Sequence, residues 1–282
     1  MFRFTFWLTL FLVARPVAAQ WSPPADLKSV PVRYDCRKTK GTIGMSFQPS
    51  LFNPHGIIFL CLDRAAAIDR ISPGASFFFR VHEYGHLALG SRDEAMADAW
   101  AADQLGRTDD GKSVLLAAIS YFAGVGDRFA PYYGTGFYRA LNVATSGGID
   151  RSRWPDSLLD YQQRWTDRLQ HNGSIVFRTN KQFSADGLVV IDNRTLGFFD
   201  TLHPERALPL PELSEGTHRI SLTDVWTYQF GTDHRLQALE RGLSATASFT
   251  IQKGMGLIGS ISANDTDLSL SVGPVTQARR GS

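Results

Sequence analysis

The feature that most constrains the fold of this 282-residue chain is a change in hydrophobic periodicity near residue 171. From about residue 72 up to that point, apolar residues recur at the three- and four-residue spacing of amphipathic helices. Gly-rich and polar stretches separate these segments, which predict helices over 73–89, 94–105, 112–124 and 157–169. An earlier stretch, 30–62, is rich in strand-forming residues. The first part of the chain is therefore predicted to be mainly helical with a small strand region.

After residue 171 the chain consists of short runs rich in β-branched and aromatic residues, separated by turn sequences. These runs predict strands over 174–177, 187–191, 195–199, 219–222, 226–230, 245–251 and 257–261. Short strands at this spacing are typical of a sandwich or small barrel of about 100 residues. The sequence thus predicts an α+β fold class, with domains at 20–170 and 171–275 and a polar tail at 276–282.

The first 19 residues have the layout of an export signal. Arg3 precedes an apolar stretch of about a dozen residues, and small residues at Val17 and Ala19 fit a signal-peptidase site. A membrane-spanning helix needs about 20 apolar residues, which makes an uncleaved anchor the weaker alternative. We therefore expect cleavage near Ala19 and a secreted or periplasmic product that is not held in a membrane.

The charge balance argues against a nucleic-acid partner. The chain has 29 Lys and Arg against 27 Asp and Glu, and two of the basic residues, Arg3 and Arg15, lie in the predicted signal. The remainder carries no net charge, so no strong electrostatic attraction to a polyanion is expected.

An exported protein is exposed to an environment in which disulfides persist, and this chain has two cysteines, Cys36 and Cys61. Each lies at the end of a strand-like run, 30–36 or 57–61. We expect these runs to be neighbours and the cysteines to be bonded; two free buried thiols are the alternative.

The strongest chemical signal is the sequence His82-Glu83-Tyr84-Gly85-His86, which spells H-E-x-x-H within a predicted helix. Residues four apart lie on one helix face, so the two imidazoles can bind one metal ion while Glu83 projects beside it. Neutral imidazole nitrogen suits Zn²⁺, and the carboxylate can accept a proton from a zinc-activated water. The motif therefore predicts a zinc site with Glu83 as general base.

A catalytic zinc site needs a third protein ligand, and the next helix offers two acidic residues. Gly90 is a helix stop and Ser91 a helix N-cap, so we expect the chain to reverse there and a second helix to begin near Arg92. In an antiparallel pair Glu94 and Asp98, themselves four apart, then face the two histidines.

These residues resemble the gluzincin metallopeptidases, in which H-E-x-x-H is followed by a helix bearing E-x-x-A-D, here Glu94-Ala-Met-Ala-Asp98. The resemblance covers about 25 residues. It implies a zincin-like fold, Zn²⁺ as cofactor and a peptide or protein substrate. It also implies that His82, His86 and Glu94 are ligands, that Glu83 is the base, and that Asp98 orients a ligating histidine.

Two alternatives are open for the third ligand. Only seven residues separate His86 from Glu94, fewer than in many gluzincins, so Asp98 is also a candidate ligand. In the other alternative Ser91 and Glu94 form a capping box, with the glutamate bonded to the serine backbone.

Peptide hydrolysis also needs a hydrogen-bond donor for the developing oxyanion and a surface for the substrate. The candidate donors are Tyr121, Tyr132, Tyr133 and Tyr138, and the sequence does not choose among them. The strand at 56–61 is a candidate edge for pairing with an extended peptide, with an ordinary core strand as the alternative.

A function of another class fits the same sequence. The chain can be interpreted as a catalytically inactive, zincin-like module whose C-terminal β domain recognises a further partner. A filled fourth coordination position at the metal would favour this interpretation, whereas a solvent-open position would favour the enzyme.

Overall fold

The computed structural model describes residues 21–130, 132–179, 183–201, 207–230, 236–251, 257–263 and 268–274. These residues form a mixed α+β structure, as predicted. The predicted signal at 1–19 and the polar tail at 276–282 lie outside the described residues.

The described helices are α1 (Leu62–Ile71), α2 (Ala75–Leu89), α3 (Glu94–Gly106), α4 (Asp109–Val125), α5 (Gly136–Ser146) and α6 (Asp156–Asn172). Four of them, α2, α3, α4 and α6, were predicted within a few residues. Helices α1 and α5 were not predicted. None of the helices that the structure describes is both long and apolar enough to cross a membrane.

The strands are β1 (Val32–Tyr34), β2 (Gly44–Phe47), β3 (Ile57–Leu60), β4 (Phe129–Ala130), β5 (Gly134–Thr135), β6 (Ser174–Thr179), β7 (Ser184–Ile191), β8 (Arg194–Asp200), β9 (Leu208–Pro209), β10 (Gly216–Phe230), β11 (Leu236–Ala238), β12 (Leu243–Ile251), β13 (Leu257–Ala263) and β14 (Leu268–Pro274). They belong to four sheets, whose orders are β1-β3-β2, β4-β5, β11-β10-β7-β8 with β12 on β10, and β14-β13-β6-β9.

The small N-terminal sheet brings the two cysteines together. Strand β1 runs parallel to β3, with Val32 opposite Ile58, so residues that follow the two strands are neighbours. Cys36 and Cys61 form a disulfide with their Cα atoms 4.2 Å apart. The predicted bond is confirmed, and it ties the start of the sheet to the start of α1.

The helices share one apolar core, and the strands after α6 share another. The helical core is built around residues such as Phe78 of α2 and Leu115 of α4. The second core draws on both later sheets, including Ile175 of β6 and Ile220 of β10, so the two sheets enclose it together. Among the described strands no sheet closes on itself, and the barrel alternative is therefore not observed. The division into separate domains stays a prediction.

Strand β10 is irregular in its pairing with two of its neighbours. Its register with β12 shifts between Leu222 and Val225, and its register with β7 shifts between Thr223 and Trp226. Asp224, within the shift, has a left-handed backbone with φ of 49°. A bulge of this kind re-aims the side chains around it. The sequence predicted two strands here, at 219–222 and 226–230. The structure shows that both belong to one bulged strand, β10.

Candidate metal centre

Helix α2 presents two histidines from its buried side. Phe78 and Val81 have no exposed surface, and the buried face continues into His82, which is 3% exposed. His86 lies one turn further on, on the same face. Gly90 then ends the helix in the left-handed conformation that glycine adopts without a Cβ penalty. The two imidazoles are thus fixed in the last two turns of a packed helix.

The N-cap of α3 differs from the prediction. Asp93, not Ser91, caps the helix, because its carboxylate accepts hydrogen bonds from the backbone N–H groups of Ala95 at 2.8 Å and Met96 at 3.0 Å. The Ser91 hydroxyl accepts a hydrogen bond from the backbone N–H of Asp93 at 3.0 Å. An aspartate next to the first turn also interacts favourably with the helix dipole. Glu94 is consequently the first residue of α3.

The Glu94 side chain faces both histidines. Its Oε2 lies 3.0 Å from Nε2 of His82 and 3.6 Å from Nε2 of His86, and the two Nε2 atoms are 3.1 Å apart. The capping-box alternative is therefore wrong. Four ligands on a tetrahedral zinc, at bonds of about 2.0–2.1 Å, are separated by about 3.4 Å, close to all three distances.

The hydrogen bonds of the two rings leave the converging nitrogens free to coordinate. Nδ1 of His82 donates to Oδ1 of Asp98 at 2.8 Å, and Nδ1 of His86 donates to the Ser91 carbonyl oxygen at 2.8 Å. Both acceptors lack a proton to give, so each Nδ1 carries a hydrogen, and Nε2 is the ring nitrogen left to bind a metal once it is deprotonated. Oε2 of Glu94 is buried and has no hydrogen-bond partner. Three lone-pair donors directed at one another fit a bound cation, and two imidazoles with one carboxylate suit zinc.

Asp98 contacts His82 on the nitrogen that points away from the other two ligand candidates, and it is not itself one of the three converging residues. Arg139 of α5 donates from Nε to Oδ2 and from a terminal nitrogen to Oδ1, both at 2.7 Å. With His82 on Oδ1 as well, both oxygens of this fully buried carboxylate are engaged. The alternative of Asp98 as third ligand is thus disfavoured by its own contacts. The sequence did not point to Arg139, because the helix that carries it was not predicted.

Opposite charges shift the titration of the group. Burial alone lowers the pKa of His82, but the Asp98 and Glu94 carboxylates outweigh this and raise it to about 10. Burial raises the pKa of Glu94, and the two histidines more than reverse the effect, so that it falls well below its usual range. The pKa of Asp98 is lowered in the same way, by Arg139 and His82 against burial. The carboxylates are therefore charged at neutral pH.

Glu83 lies beside the three ligand candidates without joining them. Its side chain is buried under β2, where Ser46 hydrogen-bonds to it. A Cβ on Gly44 would come within 2.6 Å of Cγ and Oε1 of this glutamate, so a glycine is what lets the strand approach so closely. Burial raises the pKa of Glu83, although His82 and His86 lower it. A raised carboxyl pKa brings a general base closer to the pH at which it works.

The strand at 56–61 is a core strand and not an edge. Strand β3 is paired on both sides, with β1 and β2, so of the two alternatives the ordinary core strand is confirmed and the open edge is wrong. Its residues Ile57, Ile58 and Leu60 are buried, which suits a central strand. Strand β2 is the outer strand beside Glu83, and among the described strands it pairs with β3 alone.

One of the four candidate tyrosines lines both cavities beside the site. Tyr133 borders a cavity of about 440 Å³ together with His82 and Glu83, and a second of about 660 Å³ together with His86 and Glu94. Burial raises its pKa, and the Glu94 carboxylate raises it further. Its phenol therefore stays protonated and able to donate.

The other three tyrosines have different contacts. Tyr132 donates to Asp224 in the bulge of β10. Tyr121 packs edge-on against Phe79, and Tyr138 packs against Trp165. Tyr133 is thus the one of the four that borders both cavities and whose pKa is raised by the carboxylates of the site.

Comparison of this chain with protein-family models, with curated proteins and with solved structures found no match.

Proposed function

We propose that this protein is an exported, zinc-dependent peptidase similar to the gluzincins. The observation that carries the proposal is the convergence of His82, His86 and Glu94, with Glu83 buried beside them and outside the ligand set. Two imidazoles, one ligating carboxylate and a second, free carboxylate are the side chains that a hydrolytic zinc site requires.

In this proposal each residue has one task. His82, His86 and Glu94 hold the metal, which when bound supplies Lewis acidity that polarises a carbonyl oxygen and makes water more acidic. Glu83 accepts the proton of the attacking water at its carboxylate and passes it to the departing amine. Tyr133 donates a hydrogen bond to the oxygen on which negative charge develops.

The substrate is proposed to be an extended peptide. The outer strand β2 has an edge next to Glu83 with which no described strand pairs, as strand addition requires. The cavity of about 440 Å³ beside His82 and Glu83 suits an apolar side chain of the substrate, because much of its lining is apolar. The apolar lining residues include Ile43, Ile68, Phe79, Phe122 and Val125.

We also propose a domain organisation. It consists of a zincin-like domain at 20–170 and a β domain at 171–275 that recognises substrate or a partner, with residues 1–19 removed on export. The Cys36–Cys61 disulfide is consistent with a secreted or periplasmic location.

The direct test is metal content together with hydrolysis of a mixed peptide library. We expect one equivalent of zinc, cleavage that stops on chelation, and recovery when zinc is restored. Bound zinc without cleavage of any library peptide would favour the binding-module alternative.

Two matched substitutions separate the two glutamates. Glu83→Gln removes the base but keeps its size, so we expect near-normal zinc content and turnover lower by a factor on the order of 10² or more. Glu94→Gln removes a ligand, so we expect zinc itself to be lost. If Glu83→Gln cleaves as fast as the unchanged protein, the assignment of the base is wrong.

A further inference from the structure

We infer that the β region, defined as strands β6 to β14, positions the metal-binding residues, and that Arg92 is the positioning residue through which it acts. The inference rests on the proposed function only in taking His82, His86 and Glu94 as metal ligands.

The linker, defined as residues 91–93, connects the two ligand-bearing helices, α2 and α3, and determines their relative position. At its first residue the backbone carbonyl of Ser91 holds the ring of His86. At its last residue Asp93 caps α3, whose first residue is Glu94. A displacement of the linker therefore moves a histidine ligand and the carboxylate ligand relative to each other.

The middle residue of the linker is anchored in the β region. Arg92 donates from a terminal nitrogen to Oδ1 of Asp186 at 2.5 Å and from Nε to the Tyr228 hydroxyl at 3.1 Å. The Tyr228 hydroxyl donates in turn to Oδ2 of Asp186 at 2.8 Å, which closes a three-membered network. Asp186 of β7 is 3% exposed, so the guanidinium reaches a buried carboxylate.

Residues in and beside the bulge of β10 also contact the guanidinium of Arg92. Trp226 stacks on Arg92 with the guanidinium carbon 3.6 Å from the ring centroid, and Asp224 lies 3.7 Å from its other terminal nitrogen. The same Asp224, with its left-handed backbone, accepts a hydrogen bond from Tyr132. Tyr132 also has a positive φ, 67°, which is costly for a tyrosine and is retained where surrounding contacts impose it.

Ser91 adds an independent link. Its hydroxyl donates to Oδ2 of Asp200 in β8 at 3.2 Å. Two successive residues of the linker are therefore fastened to three strands of one sheet, β7, β8 and β10. This is more than a surface contact between the two parts, because both fastened residues lie between His86 and Glu94.

The test measures metal binding directly, in the full-length protein. Arg92→Met keeps a long side chain that packs on Trp226 but removes the hydrogen bonds to Asp186 and Tyr228. We expect it to bind zinc about tenfold more weakly in competition with a chromophoric chelator, at the lower end of the effects seen for outer-sphere partners. We also expect a changed visible spectrum of the Co²⁺-substituted protein, since ligand geometry sets that spectrum. The matched control is Arg107→Met, which removes an exposed ion pair with Asp103 at the far end of α3. It should change neither the zinc affinity nor the Co²⁺ spectrum.

Two further variants keep the test decisive if Arg92→Met folds poorly. Asp186→Asn alters the β region alone and should weaken zinc binding in the same direction. Arg92→Lys should recover part of the affinity, since an ammonium restores charge but not the forked hydrogen bonds. Unchanged zinc affinity and an unchanged Co²⁺ spectrum in folded Arg92→Met and Asp186→Asn would overturn the inference.

Failure of the proposed function looks different. If the unchanged protein binds zinc but cleaves no peptide, and the Arg92 and Asp186 variants still weaken zinc binding, the inference stands and the peptidase proposal falls. If the unchanged protein binds no zinc, both fall.

Discussion

The helix pair α2–α3 and the β region differ in how they reach the candidate metal centre. The helix pair supplies the converging atoms themselves, from residues His82 to Glu94, within one short stretch of chain. The β region supplies none of them, and its main contact, Arg92 with Asp186, joins residues 94 positions apart. In this molecule local spacing therefore determines which atoms meet, whereas distant contacts hold the separation at which they meet.

The largest expected effect removes the contribution of the helix pair. His82→Ala should abolish stoichiometric zinc binding, because the two remaining protein ligands rarely hold zinc tightly. His218→Ala is the matched control in the β region, since this histidine contacts Asp192 and the Ser214 carbonyl instead. Metal analysis after dialysis should give no zinc for the first variant and one equivalent for the second. One equivalent in both would refute the site.

The next effect is on the pH dependence of stability in the metal-free protein, which should have opposite signs for the two regions. Burial raises the pKa of Asp186 from 3.8 to about 6, despite the lowering effect of Arg92. The folded protein thus binds this proton more tightly than the unfolded chain, and the associated stability is present below pH 4 and lost as pH rises through 6. The lowered pKa values of Glu94 and Asp98 act in the opposite sense, with stability lost as pH falls below their usual range.

Asp186→Asn isolates the contribution of the β region. The stability advantage of the unchanged protein over this variant should shrink by up to roughly 3 kcal/mol between pH 4 and pH 7. Urea unfolding of both metal-free proteins at the two pH values measures it. An advantage that grows with pH would contradict the raised pKa of Asp186.

Two glycines, one in each region, give a smaller and sharper contrast. A Cβ on Gly85 would come within 2.9 Å of the Ala97 carbonyl oxygen, where α2 crosses α3. A Cβ on Gly259 would come within 2.6 Å of the Phe177 ring in the second core. Each substitution to Ala should lower the free energy of unfolding by about 1–3 kcal/mol through overpacking.

The two glycine variants should differ in metal binding. Gly85→Ala separates the ligand-bearing helices and should weaken zinc binding, whereas Gly259→Ala should leave it unchanged. Equal zinc affinity in the two variants would show that the crossing of the helices does not control the site.

The smallest effect concerns the cap of α3. Asp93→Ala should cost about 1 kcal/mol of stability, as loss of an N-cap usually does, and should also weaken zinc binding because Glu94 follows directly. Thr108→Ala removes the equivalent cap of α4, which carries none of the candidate metal ligands, and should cost about as much without changing zinc affinity. Thermal unfolding and a zinc titration of both variants check this, and a zinc affinity unchanged by Asp93→Ala would contradict it.

The sequence predicted the helix pair well because its signals are local. The H-E-x-x-H spacing, the stop at Gly90 and the four-residue spacing of Glu94 and Asp98 each depend on one helix or one turn. The error in the cap is also local, since Ser91 and Asp93 are both good N-cap residues and only the path of the turn decides between them. The pairing of Cys36 with Cys61 followed from two strand-like runs that do lie side by side.

The sequence did not predict the contacts that hold the site from outside. Helix α5 begins at a glycine, Gly136, and carries the β-branched residues Val143 and Thr145, so its intrinsic helix propensity is low, and Arg139 went unnoticed with it. The order of β1, β3 and β2 could not be predicted, because it depends on which strand buries both faces. Nothing near Arg92 in the sequence indicates that its partner is Asp186, because that pairing exists only once the sheet has formed.

The acceptor for His86 has a consequence for mutational scanning. Because it is the backbone carbonyl of Ser91, every amino-acid substitution at this position retains that acceptor group. A scan of single substitutions would therefore score the position as tolerant of change with respect to that hydrogen bond. Insertion or deletion of one residue between Gly90 and Glu94 would displace the carbonyl and expose its importance. At this position the length of the chain, more than the identity of the side chain, carries the information.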